Sequence, residues 1–205
     1  MSDSPHSVAD VMTRSAIAVG QDTPFKEIVA RMQKWRVSAV PVLEGDGRVI
    51  GVVSEADLLE KEARRPDPST AGARERAKAA GAVAADVMSH PAITVHPDAS
   101  IPEAARIMAR YRVKRLPVVD AVNHIEGVVS RSDLLKVFLR ADKDLEADVR
   151  RTVLSTLPAG NDIEVSVDEG VVTLSGRLSD PSLAPLLARA AQGVEGVIDS
   201  RLAVA

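Results

Sequence analysis

Most of this chain is one message written twice. Gly51-Val52-Val53-Ser54-Glu55-Ala56-Asp57-Leu58-Leu59 returns as Gly127-Val128-Val129-Ser130-Arg131-Ser132-Asp133-Leu134-Leu135, an offset of 76 positions. The same offset, with no gap, carries Ala9-Asp10-Val11-Met12 onto Ala85-Asp86-Val87-Met88, and Arg36-Val37 with Pro41-Val42 onto Arg112-Val113 with Pro117-Val118. A tandem duplication accounts for this economically. Two similar units that each leave an apolar edge are expected to pack on one another about a pseudo-two-fold axis, so a cleft between them should occur twice.

Each unit predicts the order β-α-β-β-α. In the first, residues 7–62, Val8-Ala9-Asp10-Val11-Met12 reads as a short helical lead and Ile17-Ala18-Val19 as a minimal strand. A helix is predicted from Pro24, with Thr23 as its cap and proline at the first position, where a missing N–H does no harm. Phe25, Ile28, Val29, Met32 and Trp35 share one face and are predicted core. Strands over Ala39–Leu43 and Arg48–Ser54 flank the hairpin signature Glu44-Gly45-Asp46-Gly47, and a last helix opens after Ser54. The second unit, residues 84–140, repeats the plan with Ile93–Val95, a helix opened by the capping box Ser100-Ile101-Pro102-Glu103, and paired strands over Leu116–Val119 and His124–Ser130. Ile101, Ala104, Ala105, Met108 and Tyr111 take the places of the first apolar stripe. A closing helix over Arg131–Arg140 carries apolar Leu134, Leu135, Val137 and Phe138. Aromatic residues make up only 2% of the chain against 45% apolar residues, so these cores must be aliphatic.

Residues 63–83 read as a connector. Two prolines and a glycine in Arg64–Gly72 interrupt any helix, and Arg74–Ala80 is expected to form a short Ala-rich helix with a solvated charged face. Residues 141–205 form a separate α-β-β-α-β pattern, near the lower size for independent folding. Asp142–Leu157 predicts a helix with Leu145, Val149, Val153 and Leu154 inward, stopped by Pro158-Ala159-Gly160-Asn161. Ile163–Val167 alternates with period two, turns at Asp168-Glu169-Gly170 and returns through Val171–Gly176; Pro185–Gln192 and Val197–Val204 supply a second helix and a third strand.

Several function classes are disfavoured by what the chain contains. It has no cysteine, which removes disulfides, thiolate nucleophiles and cysteine metal sites together. A net charge of -3 exerts no global pull toward nucleic acid or anionic lipid. His6, His90, His96 and His124 show no ligand spacing, and no Ser-His-Asp set, phosphate-binding Gly-Lys loop or paired-carboxylate cleft is evident, so the chain is expected not to be an enzyme. Met1–His6 lacks a basic cluster followed by an apolar run, and no apolar stretch approaches the ~20 residues of a membrane span; a soluble, cytoplasmic protein is expected.

The duplicated Asp-Val-Met, Pro-Val and Gly-Val-Val-Ser-x-x-Asp-Leu-Leu elements resemble a tandem pair of CBS domains, regulatory modules that bind adenosine nucleotides. Residues 141–205, with Val171-Val172-Thr173-Leu174-Ser175-Gly176 and Val194-Glu195-Gly196-Val197, resemble a BON domain, a module associated with membrane or phospholipid attachment. The order CBS, CBS, BON is similar to that of a family of small bacterial proteins. The resemblance implies a mixed α/β fold of the α+β kind, a homodimer formed through helical faces, and an adenosine nucleotide such as AMP, ADP or ATP as regulatory ligand, with no obligatory cofactor.

In each repeat Ser and Asp sit where a strand hands over to a helix, whose first amides and dipole suit a phosphate. The resemblance assigns Asp57 and Asp133 to the ribose hydroxyls, and Ser54 and Ser130 are expected to donate to ribose or phosphate oxygens. Ile17, Ile93, Thr94 and the turns before Pro41 and Pro117 are expected to form the adenine slot. Ser-x-x-Asp opening a helix is equally the spacing of a cap, and an aspartate turned inward to cap is expected to be lost to the sugar. The repeats differ in charge: Ser38, Ala39 and Glu55 correspond to Lys114, Arg115 and Arg131. On these cations the Asp133 cleft is expected to be the better phosphate site, although paired CBS modules also lend groups from one repeat to the opposite cleft.

Three functions follow. The first is a nucleotide-sensing regulatory protein that passes its state to a partner or to the tail. The second is an adaptor acting through the BON-like domain on a phospholipid surface or protein partner, with the repeats as dimerising scaffold. Single-stranded nucleic-acid binding through Arg112, Lys114, Arg115 and Arg131 is the weakest, because stacking aromatics are scarce.

Overall fold

The computed structural model describes residues 7–63, 82–158 and 161–204, with the side chains of Leu154 and Thr156 left aside. The helix expected over Arg74–Ala80, most of the connector and the inward position of Leu154 therefore lie outside the described residues. The chain divides into two compact units, one spanning Ser7–Asp133 and the other continuing from Leu134.

The first unit contains α1 (Val8–Val11), β1 (Val19–Gly20), α2 (Phe25–Trp35), β2 (Ala39–Leu43), β3 (Val49–Ser54), α3 (Glu55–Ala63), α4 (Ala84–Val87), α5 (Ile101–Tyr111), β4 (Arg115–Val119), β5 (Ile125–Ser130) and the start of α6 (Arg131–Leu135). β2 pairs antiparallel with β3, and β1 adds to β2 in parallel. β4 and β5 repeat the hairpin in the same register, down to an irregularity after Val42 and after Val118. The small strand expected at Ile17–Val19 forms over Val19–Gly20, and in the second repeat it shrinks to a single bridge between Val95 and Val118.

The two repeats exchange their leading segments. Val8 and Ala9 donate their amides to the carbonyls of Ala99 and Pro97, and Thr13 bridges Val128 of β5. Reciprocally, Ala84 and Ala85 donate to Thr23 and Gln21, and Ser89 bridges Val52 of β3. This explains the glycine that opens each Gly-Val-Val-Ser. A Cβ on Gly127 would lie 2.8 Å from the carbonyl oxygen of Thr13, and one on Gly51 would press the Met88 side chain and sit 3.0 Å from the Ser89 carbonyl oxygen. Only a bare backbone lets the crossing segment come so close.

The first core joins Val19, Ile28, Met32, Val40, Val42, Val53 and Leu58 to Ala84, which arrives with the exchanged segment. Ile101, Ala104, Met108, Leu116, Val118 and Val129 are buried at the matching places. The apolar stripes end earlier than predicted, Trp35 being 53% and Tyr111 49% exposed, and the second is also narrower, since Ala105 is exposed between buried Ala104 and Met108. Both rings lie in the last turn of their helix, against Lys34 and Arg110 at 5.5 and 5.6 Å from the ring centres. The helices then stop in left-handed residues, Arg36 and Arg112. Ser100 caps α5 by accepting from the amide of Glu103, as expected. Thr23 does not cap α2, which starts after Pro24 with no side-chain cap.

In the second unit the expected closing helix shortens. α6 ends at Leu135 and a 3-10 turn covers Lys136–Leu139, leaving Leu135 and Phe138 exposed while Val137 is buried. There follow α7 (Asp142–Thr156), β6 (Asp162–Asp168), β7 (Val171–Arg177), α8 (Ala184–Gln192) and β8 (Asp199–Val204). β7 is central, antiparallel to β6 and parallel to β8, over a core of Val149, Val153, Ile163, Val165, Val172, Leu174, Leu187 and Ala191. The β6–β7 turn places Glu169 and Gly170 at φ 47° and 74°, and Asp142 accepts both of their amides at 2.9 Å. Asp148 pairs with Arg140 and Arg151. Burial opposes its ionisation, but the two guanidinium groups outweigh this and hold its carboxyl below the usual carboxylate value.

Candidate functional site

Each strand-to-helix junction of the first unit borders a hollow built from both repeats. The Asp57 hollow, about 250 Å³, is walled by Ser38, Ser54, Glu55 and Asp57 from the first repeat and by Ser89, Ile93, Arg112, Lys114 and Arg115 from the second part of the chain. The Asp133 hollow, about 220 Å³, is walled by Arg115, Val128, Ser130 and Asp133 from the second repeat and by Thr13, Ser15, Ile17, Val37 and Ala39 from the first. Both are small next to typical ligand pockets, so a nucleotide held in either would keep one edge in solvent.

The exchange of walls corrects the expected placement of charge. Lys114 lines the Asp57 hollow and not the Asp133 hollow, and Arg115 borders both. Arg131 borders neither: its Nε donates to the carbonyl of Val113. Sequence neighbours of Asp133 have therefore become spatial neighbours of Asp57. The Asp57 hollow gathers three cations against the carboxylates of Glu55 and Asp57, while the Asp133 hollow sets one cation against Asp133.

Both aspartates form the cap. Asp57 Oδ2 accepts from the amide and hydroxyl of Ser54 at 2.7 and 2.5 Å, and Asp133 Oδ2 accepts from those of Ser130 at 2.9 and 2.6 Å. Each serine Oγ accepts in return from the aspartate amide at 3.3 Å. This corrects two expectations. The serine hydroxyl proton is committed to the carboxylate, so toward a ligand Ser54 and Ser130 offer acceptor oxygens rather than donors. Capping also does not hide the carboxylate: it uses one oxygen, an ionised carboxylate has about four lone-pair sites, and both aspartates still line their hollows half-exposed. Asp57 Oδ1 additionally accepts from Ser89 Oγ at 2.9 Å.

The helix amides offer less than expected. Glu55 N donates to Ser38 O and Arg131 N to Lys114 O, at 3.0 and 3.1 Å, and the third amide of each helix is bonded to the cap serine. Two of the first three amides of each helix are thereby committed to protein acceptors. The expected adenine slot is partly assembled. Ile93 reaches the Asp57 hollow and Ile17 the Asp133 hollow, each from the opposite repeat. Thr94 faces a separate surface groove with Glu103, Arg106 and Tyr111. Pro41 and Pro117 are buried in β2 and β4 opposite Val52 and Val128 and border neither hollow, whereas the turns preceding them do.

Ser89 and Arg112 were not among the residues expected at the nucleotide site, Arg112 being named only for the nucleic-acid reading. A signal for Ser89 was present: the residue after each Asp-Val-Met is a hydroxyl, Thr13 or Ser89. Arg112 shared its place with Arg36 in the duplicated motif, but only the left-handed turn after α5 shows that it reaches a hollow.

Two β-α-β-β-α units that exchange leading segments and enclose a hollow at each strand-to-helix junction define a paired CBS module. The family model of the CBS domain matches residues 8–64 and 83–140 and that of the BON domain residues 141–205; the chain belongs to the CBS-domain family and carries a C-terminal BON domain. Uncharacterized protein MJ1426 of Methanocaldococcus jannaschii is 29% identical over 153 residues, covering 64% of this chain and 90% of that protein. CBS domain-containing protein YhcV of Bacillus subtilis is 30% identical over 129 residues, 62% of this chain and 82% of that one. Of Uncharacterized protein MJ1404 of Methanocaldococcus jannaschii, 31% identical over 131 residues, the match spans 31% of the length. Among solved structures, CBSX2 in complex with AMP superposes with a TM-score of 0.56 at 26% identity, covering 65% of this chain and 96% of that one; CBSX2 is a protein of Arabidopsis thaliana.

Proposed function

We propose that the chain is a non-catalytic regulatory protein that binds an adenosine nucleotide between its CBS repeats and relays occupancy to a partner or to the BON domain. The observation that carries this reading is the convergence of Arg112, Lys114 and Arg115 on the hollow that contains Asp57. An anionic group meets the cations, Asp57 accepts from the sugar hydroxyls, and Ile93 offers an apolar surface to the base. AMP in the similar CBSX2 supports the adenosine part. The Asp57 hollow is thus the stronger phosphate site, and Ser130 and Asp133 serve a second, weaker one. Relay requires that the ligand bind two arrangements of the repeats unequally, and a homodimer belongs to the same proposal.

Titration calorimetry of the full chain with AMP, ADP, ATP and adenosine tests it. The phosphorylated ligands are expected to bind more tightly than adenosine, and absence of heat from all four at millimolar concentration ends the reading. The BON match sustains a second one, an adaptor at a phospholipid surface. Against anionic lipid stand Asp142, Asp144, Glu146 and Asp148 at the start of α7. Flotation of the full chain with phosphatidylserine vesicles, unaffected by AMP, is the result that favours the adaptor.

A further inference from the structure

We propose that the Asp57 hollow is the inner half of a longer site whose outer half is the groove beside Tyr111, and that the ligand this site fits is a dinucleotide with an uncharged second base. The inference rests on the nucleotide reading and names the class of ligand within it.

The chain has one tryptophan and one tyrosine, and neither is buried in a core. Trp35 and Tyr111 occupy matched positions of the duplication, as the half-exposed last residues of α2 and α5. Each walls a groove against the segment that leads into its repeat: Ala16, Ile17 and Ala18 beside Trp35, and Ala92, Ile93 and Thr94 beside Tyr111. Each groove also shares two wall residues with a hollow. Ala16 and Ile17 border the Asp133 hollow, and Ala92 and Ile93 the Asp57 hollow. An exposed ring at one helix end is commonplace. A ring, a groove and a shared pair of wall residues present in both copies mark a feature of the fold.

The two copies differ at the junction. Arg112 follows Tyr111 and lines the Asp57 hollow, so the cation that meets a phosphate and the ring that walls the groove are consecutive residues. In the first repeat Arg36 follows Trp35 but lines a different groove, with Phe25 and Leu58. The longer site is therefore assigned to the Tyr111 side. The Asp57 hollow offers about 250 Å³, below the size of a typical ligand pocket, and the groove adds a more open space of about 610 Å³. Its charge suits a diphosphate bridge and disfavours a cationic ring, since Arg106 and Arg110 stand against one carboxylate, Glu103. Arg106 has no side-chain hydrogen bond or ion pair with another described residue, and Arg110 lies over the Tyr111 ring at 5.6 Å from its centre. Stacking on such a ring accepts any base, and arginine strengthens it. The adenosine then sits against Ile93 and Asp57, the diphosphate at Arg112 and the second base on Tyr111.

Calorimetry of the full chain with AMP, ADP-ribose and diadenosine diphosphate tests this, using the wild type, Tyr111→Ala and Tyr111→Phe. ADP-ribose carries the adenosine, the diphosphate and the second sugar but no second base, so its difference from diadenosine diphosphate isolates the outer ring. Wild type is expected to bind diadenosine diphosphate about tenfold more tightly than ADP-ribose, toward the low end of what one stacked base contributes. Tyr111→Ala should erase that difference while AMP and ADP-ribose affinities stay within about twofold, and Tyr111→Phe should keep it. Tyr111→Leu, which retains bulk without a ring to stack on, takes the place of the alanine variant should that one fail to fold. Equal wild-type affinities for ADP-ribose and diadenosine diphosphate overturn the proposal. An advantage of the dinucleotide that survives removal of the ring does so too, because the second base then lies elsewhere. A matching loss of AMP affinity in the same variant also overturns it, by making Tyr111 a support for the inner hollow. In each of these cases the nucleotide reading stands; it ends together with the longer site if the wild type takes up none of the three ligands at millimolar concentration.

Discussion

The Asp57 and Asp133 hollows share a frame and differ in what the frame holds. Both have a serine and an aspartate locked in a cap, an isoleucine lent by the opposite repeat, and a crossing segment laid against a glycine. Three cations stand in one and a single shared arginine in the other. The lesson is that duplication copies the backbone hydrogen bonds that make a site possible, whereas divergence acts at the turn before a strand, where a side chain can change without disturbing the core. Lys114 and Arg115 in place of Ser38 and Ala39 alter a hollow's charge and leave the β2–β3 and β4–β5 registers identical.

The largest way to break this contrast is to remove the charge. Lys114→Ala with Arg115→Ala deletes two charge-assisted contacts of about 1.5–3 kcal/mol each when desolvated. AMP affinity at the Asp57 hollow should fall about a hundredfold or more. Adenosine affinity, read by the same calorimetry, should move less than about threefold. An equal loss for both ligands would mean that the cations shape the hollow rather than attract an anion.

A smaller effect sharpens the comparison at the level of stability. Gly127→Ala drives a Cβ to 2.8 Å from a backbone oxygen, which moves only with its segment, and should destabilise the first unit by about 1–3 kcal/mol. Gly51→Ala meets the Met88 side chain first, a flexible group that can swing aside, so its loss should be smaller. Urea unfolding followed by circular dichroism measures both. Equal losses would show that the Ser89 carbonyl at 3.0 Å, and not the methionine, limits the first repeat.

Much of this arrangement was legible before any coordinate. The offset of the repeats predicted the hairpins, the doubling of the hollow and the element order, save that the leading strand of the second repeat is a single bridge and the closing helix ends at Leu135. The tail was as readable: the alternation in Ile163–Val167 and the Glu169-Gly170 turn are short-range signals. What escaped reading was non-local. No pattern says that Met88 and Ser89 lie on β3 while Met12 and Thr13 lie on β5, although Gly51 and Gly127 mark where they cross. The same exchange moved Lys114 from one aspartate to the other. Trp35 and Tyr111 fit the apolar stripe by spacing, but a stripe says nothing about where the opposing wall ends, and both project beyond it at the last turn. Thr23 and Ser100 show the limit of cap signals: similar residues precede similar helices, and one helix starts a residue later than the cap requires.

The smallest expected effect isolates a single oxygen. Ser89 Oγ donates to Asp57 Oδ1, the oxygen that the Ser54 cap leaves aside, so under the proposed nucleotide reading Ser89 and a ribose hydroxyl compete for that oxygen. Ser89→Ala removes one hydrogen bond, and the first unit should lose about 0.5–1.5 kcal/mol of stability. Its effect on binding should have the opposite sign. With its competitor gone, Oδ1 accepts from the sugar without first releasing a partner, and adenosine affinity at the Asp57 hollow should rise by roughly twofold to fivefold, the smaller part of that range of bond energies. A fall in affinity would assign Ser89 the other role, that of holding the Asp57 carboxylate at the angle the ribose needs. Comparing 2′-deoxyadenosine and 3′-deoxyadenosine in the same variant separates the two, since relief of competition favours only ligands that keep the hydroxyl reaching Oδ1, whereas loss of orientation weakens every nucleoside that uses Asp57 at all.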